Sequence, residues 1–184
     1  GSTKERIVKS CPASLKSQFI AAHPMAGTEY SGPKAAFKEL LKGAVVVLCD
    51  DESTSQKHLK RATEILSHAG MRIIFMDAAS HDHHVGFISH LPHAISFSLV
   101  NATLNEERRN IFLLGGSSFA GMARIAKSSE IMWTDIFRQN KDNILGAMQA
   151  FKAEFAHCED MLKNERWDEL REWIKNAHQI KEIL

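Results

Sequence analysis

Ala44-Val45-Val46-Val47-Leu48-Cys49 is a continuous apolar run, and Met71-Arg72-Ile73-Ile74-Phe75-Met76 follows it after a single helical stretch. A valine-rich segment without polar alternation is the pattern of a strand covered on both faces, which implies a parallel or mixed α/β sheet. Between the two runs Leu59, Ala62, Ile65, Leu66 and Ala69 recur at helical spacing. Ser53 or Ser55 is placed to cap that helix, and Gly70 sits where a left-handed terminator belongs. Upstream, Phe19-Ile20-Ala21-Ala22 reads as another strand, stopped by His23-Pro24 and followed by a loop marked by Gly27 and Ser31-Gly32-Pro33. Residues Pro33 to Leu41 carry Ala36, Phe37, Leu40 and Leu41 on one side and end at Gly43, which predicts a short amphipathic helix. Lys4 to Lys9 allows one or two helical turns, closed by Cys11-Pro12. Strand, helix, strand, helix, strand is the order of a doubly wound sheet.

The character changes after Asp77, where valine-rich strands stop and helical periodicity takes over, so the domain boundary is placed there: residues 1–77 α/β, residues 78–184 all-α. Helices are expected from about His81 to Leu104 with a kink at Pro92, from Glu106 to Phe112, from Ser118 to Ala126, from Glu130 to Lys163, and from Trp167 onward.

The 184 residues are 44% hydrophobic and 24% charged, enough apolar material for a real core. With 23 Lys and Arg against 22 Asp and Glu, the net charge of +1 gives no field that would draw nucleic acid or an anionic membrane. The longest apolar runs fall well short of the ~20 residues of a membrane span, and no apolar signal region opens the chain. Cys11, Cys49 and Cys158 are odd in number and far apart, which argues against a disulfide framework and for a reducing, cytoplasmic setting.

Three stretches carry side chains suited to chemistry. His23 stands at the C-terminal end of the first strand, read as parallel, ahead of a glycine-containing loop, the edge at which open α/β sheets bind ligands, and an imidazole ordinarily titrates near neutrality. A histidine that only caps a turn before proline is the plainer alternative, and Glu29 reads equally as a gate or as an exposed loop carboxylate. His81-Asp82-His83-His84 and Ser89-His90-Leu91-Pro92-His93 hold five of the ten histidines. On a continuous helix Asp82, Ser89 and His93 share a face with His90 nearby, a polar wall for a pocket. A histidine metal site competes, although the His-Glu-x-x-His spacing is missing. Arg124, among small and apolar neighbours, suits bidentate capture of a carboxylate, or else a structural ion pair. Trp133, Phe137, Phe151 and Phe155 read first as core or interface aromatics.

Taken in order, Gly1-Ser2-Thr3-Lys4, His23-Pro24-Met25-Ala26-Gly27-Thr28-Glu29-Tyr30-Ser31-Gly32, His81-Asp82 leading to Ser89-His90-Leu91-Pro92-His93, and Arg124-Ile125-Ala126-Lys127-Ser128 with Trp133 resemble the prephenate dehydrogenase family. The resemblance runs from the first residue to about Asn140. It implies the C-terminal part of a Rossmann-type dinucleotide-binding domain followed by a helical substrate-binding and dimerisation domain. The implied reaction is the NAD-dependent oxidative decarboxylation of prephenate to 4-hydroxyphenylpyruvate in tyrosine biosynthesis, by a cytoplasmic homodimer that uses neither nucleic acid nor membrane. His23, helped by Ser2, would accept the hydrogen bond of the substrate's 4-hydroxyl. Arg124 would bind a substrate carboxylate with Asp82 positioning it by an ionic contact, Ser89 and His93 would line the pocket, and Glu29 would gate it. Ser2, His23 and Pro24 would border the cofactor, and no metal is implied. The family's opening strand and Gly-x-Gly-x-x-Gly loop are not in this sequence, so the chain is expected to begin inside the nucleotide domain. Ala120 also stands where members often carry lysine. Arogenate as substrate, NADP as cofactor, and a non-catalytic helical dimerisation or ligand-binding module remain the alternatives.

Overall fold

The computed structural model describes residues 2–27, 32, 36–49, 51–104 and 114–182. Strands β1 (Ala21–Pro24), β2 (Val45–Cys49) and β3 (Arg72–Met76) form one sheet in the order β1-β2-β3. β2 lies in the middle, and its apolar run is explained by burial on both sides. Val47 and Cys49 pack with Ala21 and Ala78, joined by Val8, on the face covered by α1 (Glu5–Ser10) and α3 (Ala78–Val85). Val46 and Leu48 pack with Leu59 and Leu66 of α2 (Gln56–His68) on the other face. β3 departs from the expectation of a buried strand: it is an edge, and Ile74 and Phe75 are 42% and 48% exposed.

β2 and β3 run parallel, with Val45 opposite Arg72 and Cys49 opposite Met76. β1 runs antiparallel to β2, with Ala21 opposite Cys49 and His23 opposite Val47, and this corrects the parallel reading of the first strand. Where the sequence suggested a helix over 33–41, the described part holds turns: the Leu40 amide donates to the Phe37 carbonyl (3.1 Å) and the Lys42 amide to that of Glu39 (3.0 Å). A parallel return needs a crossover of a dozen or more residues, usually helical, whereas an antiparallel one does not. α2 does make such a crossover, and it stops as expected. Gly70 has φ 81°, its amide donates to Ser67 and that of Met71 to Leu66, the two bonds of a Schellman terminus.

Beyond β3 come α3, one π-helical turn (Gly86–His90), α4 (Leu91–Leu104), α5 (Ser117–Ile125), α6 (Glu130–Gln139), α7 (Lys141–Lys163), α8 (Trp167–Ala177) and a 3-10 turn (His178–Glu182). The helix expected over 106–112 lies outside the described residues. The break anticipated at Pro92 takes the form of the π turn just before it. Proline offers no amide to the carbonyl four residues back, and the wider turn absorbs the ring, with the Leu91 amide bonded to the Gly86 carbonyl five residues earlier. The single helix expected over Glu130–Lys163 is two, separated at Asn140 (φ −114°, ψ 27°), whose side chain turns into the site described below.

By compactness the chain divides into Gly1–Ile144 and Leu145–Leu184. In the second unit Ala147 and Met161 are fully buried, and the Trp173 indole donates to the Glu154 carboxylate (2.8 Å). Among the described residues no helix is long and apolar enough to cross a membrane.

Candidate active site

Helix α3 starts where Asp77 accepts the Ser80 amide (2.8 Å). Its inward stripe is Ala78, His81, Asp82 and Val85, at spacings of three and four, so the helix buries a histidine and an aspartate side by side. His81 is 1% exposed and Asp82 3%. A buried carboxylate needs compensation, and Asp82 finds it at the start of α1. Its Oδ1 accepts the Lys4 amide (2.8 Å) and its Oδ2 the Glu5 amide (3.0 Å), two of the donors that a helix N-terminus leaves unpaired. His81 Nδ1 lies 2.8 Å from the same Oδ1. Burial opposes ionisation of Asp82, but the His81 imidazole and the two amides outweigh it and hold the carboxyl below its ordinary range.

From the other side of His81, Nε2 lies 2.7 Å from Nδ1 of His23, with the rings edge to face at 4.9 Å. His23 reaches this contact from β1, where alternation puts it on the same face as Ala21, toward α3. Strand pleat and a long reach to α3 therefore deliver the histidine, in place of the parallel strand end that the sequence suggested. Burial lowers its pKa to about 4, and the nearby Lys4 amine and His81 push the same way. At neutral pH the ring is an uncharged acceptor, hydrogen-bonded to a chain that ends on a carboxylate. Lys4 is itself buried, its ammonium donating to the Thr3 carbonyl (3.3 Å), and desolvation lowers its pKa against the pull of Cys49 and Asp82.

A second polar set lies behind the first. One amide of Asn140 donates to the Asp82 carbonyl (2.7 Å) and reaches Nδ1 of His90 (3.0 Å), while Asn143 donates to the Asn140 carbonyl oxygen (2.8 Å). His90 is fully buried and its pKa falls to about 4, mainly by desolvation, against the pull of Asp82. The π turn inserts one residue into the helical count, so the position that shares Asn140 with Asp82 is His90; Ser89, which a regular helix would have placed with Asp82, is half-buried and supplies its carbonyl to His93 Nδ1 (2.9 Å). His93 stacks on Trp133 at 3.5 Å, and Trp133 meets Phe137 edge to face at 5.7 Å. Nε2 of His90 and Nε1 of Trp133 are buried without a protein partner among the described residues.

The structure thus joins His23 and Asp82 through His81, and puts His93 in the aromatic stack. Ser2 is half-buried directly before Thr3, whose hydroxyl donates to Gln139 (2.8 Å). Arg124 stands exposed on α5, which is tied to α4 where the buried Ser96 hydroxyl donates to the Met122 carbonyl. Glu29 lies outside the described residues. His83 and His84 face outward, away from the buried His81, and no group of three or more metal-competent side chains occurs among the described residues. His81 stands in the sequence motif without a role of its own there, and Asn140 is not in it. The 78-81-82-85 stripe carried a signal for the first; nothing local marks the second.

The family models for the prephenate dehydrogenase nucleotide-binding domain and dimerization domain match residues 1–75 and 77–176. A cyclohexadienyl dehydrogenase of Zymomonas mobilis is 30% identical over the whole chain, which covers 64% of it. A prephenate dehydrogenase of Bacillus subtilis is 31% identical, again over the whole chain, which covers 51% of it. Among solved structures, prephenate dehydrogenase from Aquifex aeolicus in complex with hydroxyphenyl propionate and NAD+ superposes with a TM-score of 0.89 at 34% identity, covering 100% of this chain and 64% of that one. Synechocystis arogenate dehydrogenase gives 0.83 at 27% identity, covering 99% and 66%. The chain therefore spans between about half and two thirds of the length of these relatives.

Proposed function

The chain belongs to the prephenate dehydrogenase family, and from that membership we propose that it acts in the oxidative decarboxylation of prephenate to 4-hydroxyphenylpyruvate in tyrosine biosynthesis. The observation that carries the proposal is the neutral His23, hydrogen-bonded through buried His81 to Asp82. The reaction removes a hydride from the carbinol carbon and a proton from its hydroxyl, and the breaking bond to carbon dioxide returns its electron pair to the ring, which becomes aromatic. An imidazole that is uncharged at neutral pH is suited to accept the hydroxyl proton, an assistance worth about 10²–10⁴ in rate.

NAD is the oxidant in this reading; when bound, it takes up the hydride. Ser2, His23 and Pro24 are assigned to border its nicotinamide end, with the Ser2 hydroxyl as the hydrogen-bonding group left free for it. NADP is the alternative that the same residues leave open. Arg124 is assigned to a substrate carboxylate, for which its planar fork is suited. His93 and Ser89 are assigned to the pocket wall, the stack on Trp133 holding the His93 ring in place, and Glu29 to a gate. Asp82 acts in this scheme through His81. The boundary between nucleotide-binding and helical portions is placed at residue 77, and the protein is assigned as a cytoplasmic homodimer, which agrees with the dimerization-domain match.

Arogenate is the second reading. It differs from prephenate by an amino group in place of the keto oxygen, and an arogenate dehydrogenase is among the similar structures. The test is NAD reduction by the full-length protein with each substrate, beside its His23→Ala variant. Turnover with prephenate that falls by about 10² or more in the variant supports the assignment. Turnover with arogenate alone reverses the substrate, and none with either, from a folded protein, leaves the non-catalytic binding module.

A further inference from the structure

We propose that His81 is a positioning residue: held by Asp82, it fixes His23 in the Nδ1–H tautomer and so leaves Nε2 of His23 as the lone pair offered to the substrate hydroxyl. Two short contacts fix where the protons sit. The Asp82 carboxylate has no proton to give, and its oxygens already accept the Lys4 and Glu5 amides. An imidazole nitrogen 2.8 Å from Oδ1 must therefore carry hydrogen, because two lone pairs at that distance in a buried site would repel. With its hydrogen on Nδ1, neutral His81 has a bare Nε2. That nitrogen lies 2.7 Å from Nδ1 of His23, which must then be the donor. The hydrogen on Nδ1 of His23 empties Nε2, the atom free to face a ligand.

The relay also has a use after proton transfer. Once Nε2 of His23 has taken the hydroxyl proton, the ring is cationic and still donates from Nδ1 to His81, whose own Nδ1–H rests on the Asp82 charge. No proton need leave the chain, and the positive charge is stabilised through one intervening ring, the service a carboxylate gives an imidazole in triads. Burial of His81 and Asp82 strengthens each contact by excluding solvent. A charge on His81 would undo this arrangement, because its Nε2–H would then point at His23 and force a hydrogen onto the far nitrogen. The amides of Lys4 and Glu5 and the buried Lys4 ammonium already face the Asp82 charge.

The inference rests on reading His23 as the acceptor of the hydroxyl proton, yet its test needs no turnover. Long-range ¹H–¹⁵N correlation on the full chain with ¹⁵N-labelled histidine reports the tautomer of each ring, with His23 and His81 assigned by their variants. The expected result at neutral pH is Nδ1–H for both. His23 in the Nε2–H form, or His81 doubly protonated, overturns the proposal even if the enzyme turns over prephenate. Two variants add the kinetic arm. In His81→Gln the side-chain amide oxygen takes the place of Nε2 as acceptor, so His23 keeps its tautomer and kcat stays within about tenfold of the parent. In His81→Leu the acceptor is gone, kcat falls by about 10² or more with KM changed far less, and adding His23→Ala lowers it no further. Equal losses in His81→Gln and His81→Leu, or additive losses with His23→Ala, would mean that His81 serves only the fold. Absence of turnover in the parent protein would count against the proposed function and leave the tautomer measurement to decide this inference alone.

Discussion

Asn140 ties two elements of the site together with one amide group, bonding the Asp82 carbonyl and His90 while its own oxygen accepts from Asn143. All of these atoms lie in or beside the buried set, so truncation strands a carbonyl and a ring nitrogen away from water. Asn140→Ala is expected to cost about 1–3 kcal/mol in urea unfolding, the range for an unsatisfied buried polar group. A loss near zero would mean that the site relaxes to admit water. His23 shows the complementary case of a residue whose local surroundings set its chemistry. Its depressed pKa keeps it neutral, so the acidic limb of kcat/KM should lie at about pH 4, lower than an ordinary histidine would allow. A limb near 6.5 in the pH profile of the free enzyme would contradict this.

At the scale of elements, glycine has opposite meanings in two helices. Gly70 ends α2 with φ 81°, a conformation that side chains disfavour, and the two bonds of that terminus depend on it. Gly70→Ala should therefore cost about 1 kcal/mol. Gly146 lies inside α7 with nothing within 4 Å of where a Cβ would stand, so Gly146→Ala should add about 0.5–1 kcal/mol. Thermal unfolding of the two variants should shift in opposite directions. The π turn before Pro92 shows how one proline re-indexes a face: the wider turn moves His90 to where a regular helix would have placed Ser89, and His93 with it to its stack on Trp133. A sequence reader who sees Pro92 expects a kink, but the position of the extra residue depends on what the following helix packs against.

For the whole molecule, two histidines held near pKa 4 make stability depend on pH. Both are neutral in the folded chain over the range where the unfolded chain, with histidine pKa of about 6.5, takes up protons. Their contribution is complete above about pH 6.5, declines as pH falls toward 4, and stops changing below that. The slope should approach about 1.4 kcal/mol per pH unit for each histidine, readable from urea unfolding across a pH series. A flat profile over that interval would show that the rings titrate normally. In the second compact unit, Phe151, Phe155 and Leu162 form one exposed apolar stripe along α7, with Phe155 64% exposed. If the dimerization-domain match describes how two chains pair, Phe155→Glu should shift sedimentation from two chains toward one.

Local chemistry made the architecture readable. The unalternating run Ala44 to Cys49, the helical spacing from Leu59 to Ala69 and the Gly70 stop are statements about burial and backbone conformation within a few residues, and the structure agrees with each. The motif order from Ser2 to Trp133 was enough to indicate the family. What a linear reading could not reach depends on contacts between distant segments. β1 pairs antiparallel with β2, a choice that no local pattern in Phe19–Ala22 records, and α6 and α7 part at Asn140 because its side chain is drawn to Asp82, 58 residues away in sequence. The role of His81 was hidden for the same reason: a buried histidine and a catalytic relay look alike until strand β1 carries His23 to within 2.7 Å of it. Period and propensity are properties of neighbours along the chain, whereas the direction of a hydrogen bond is settled only by the groups that folding brings together.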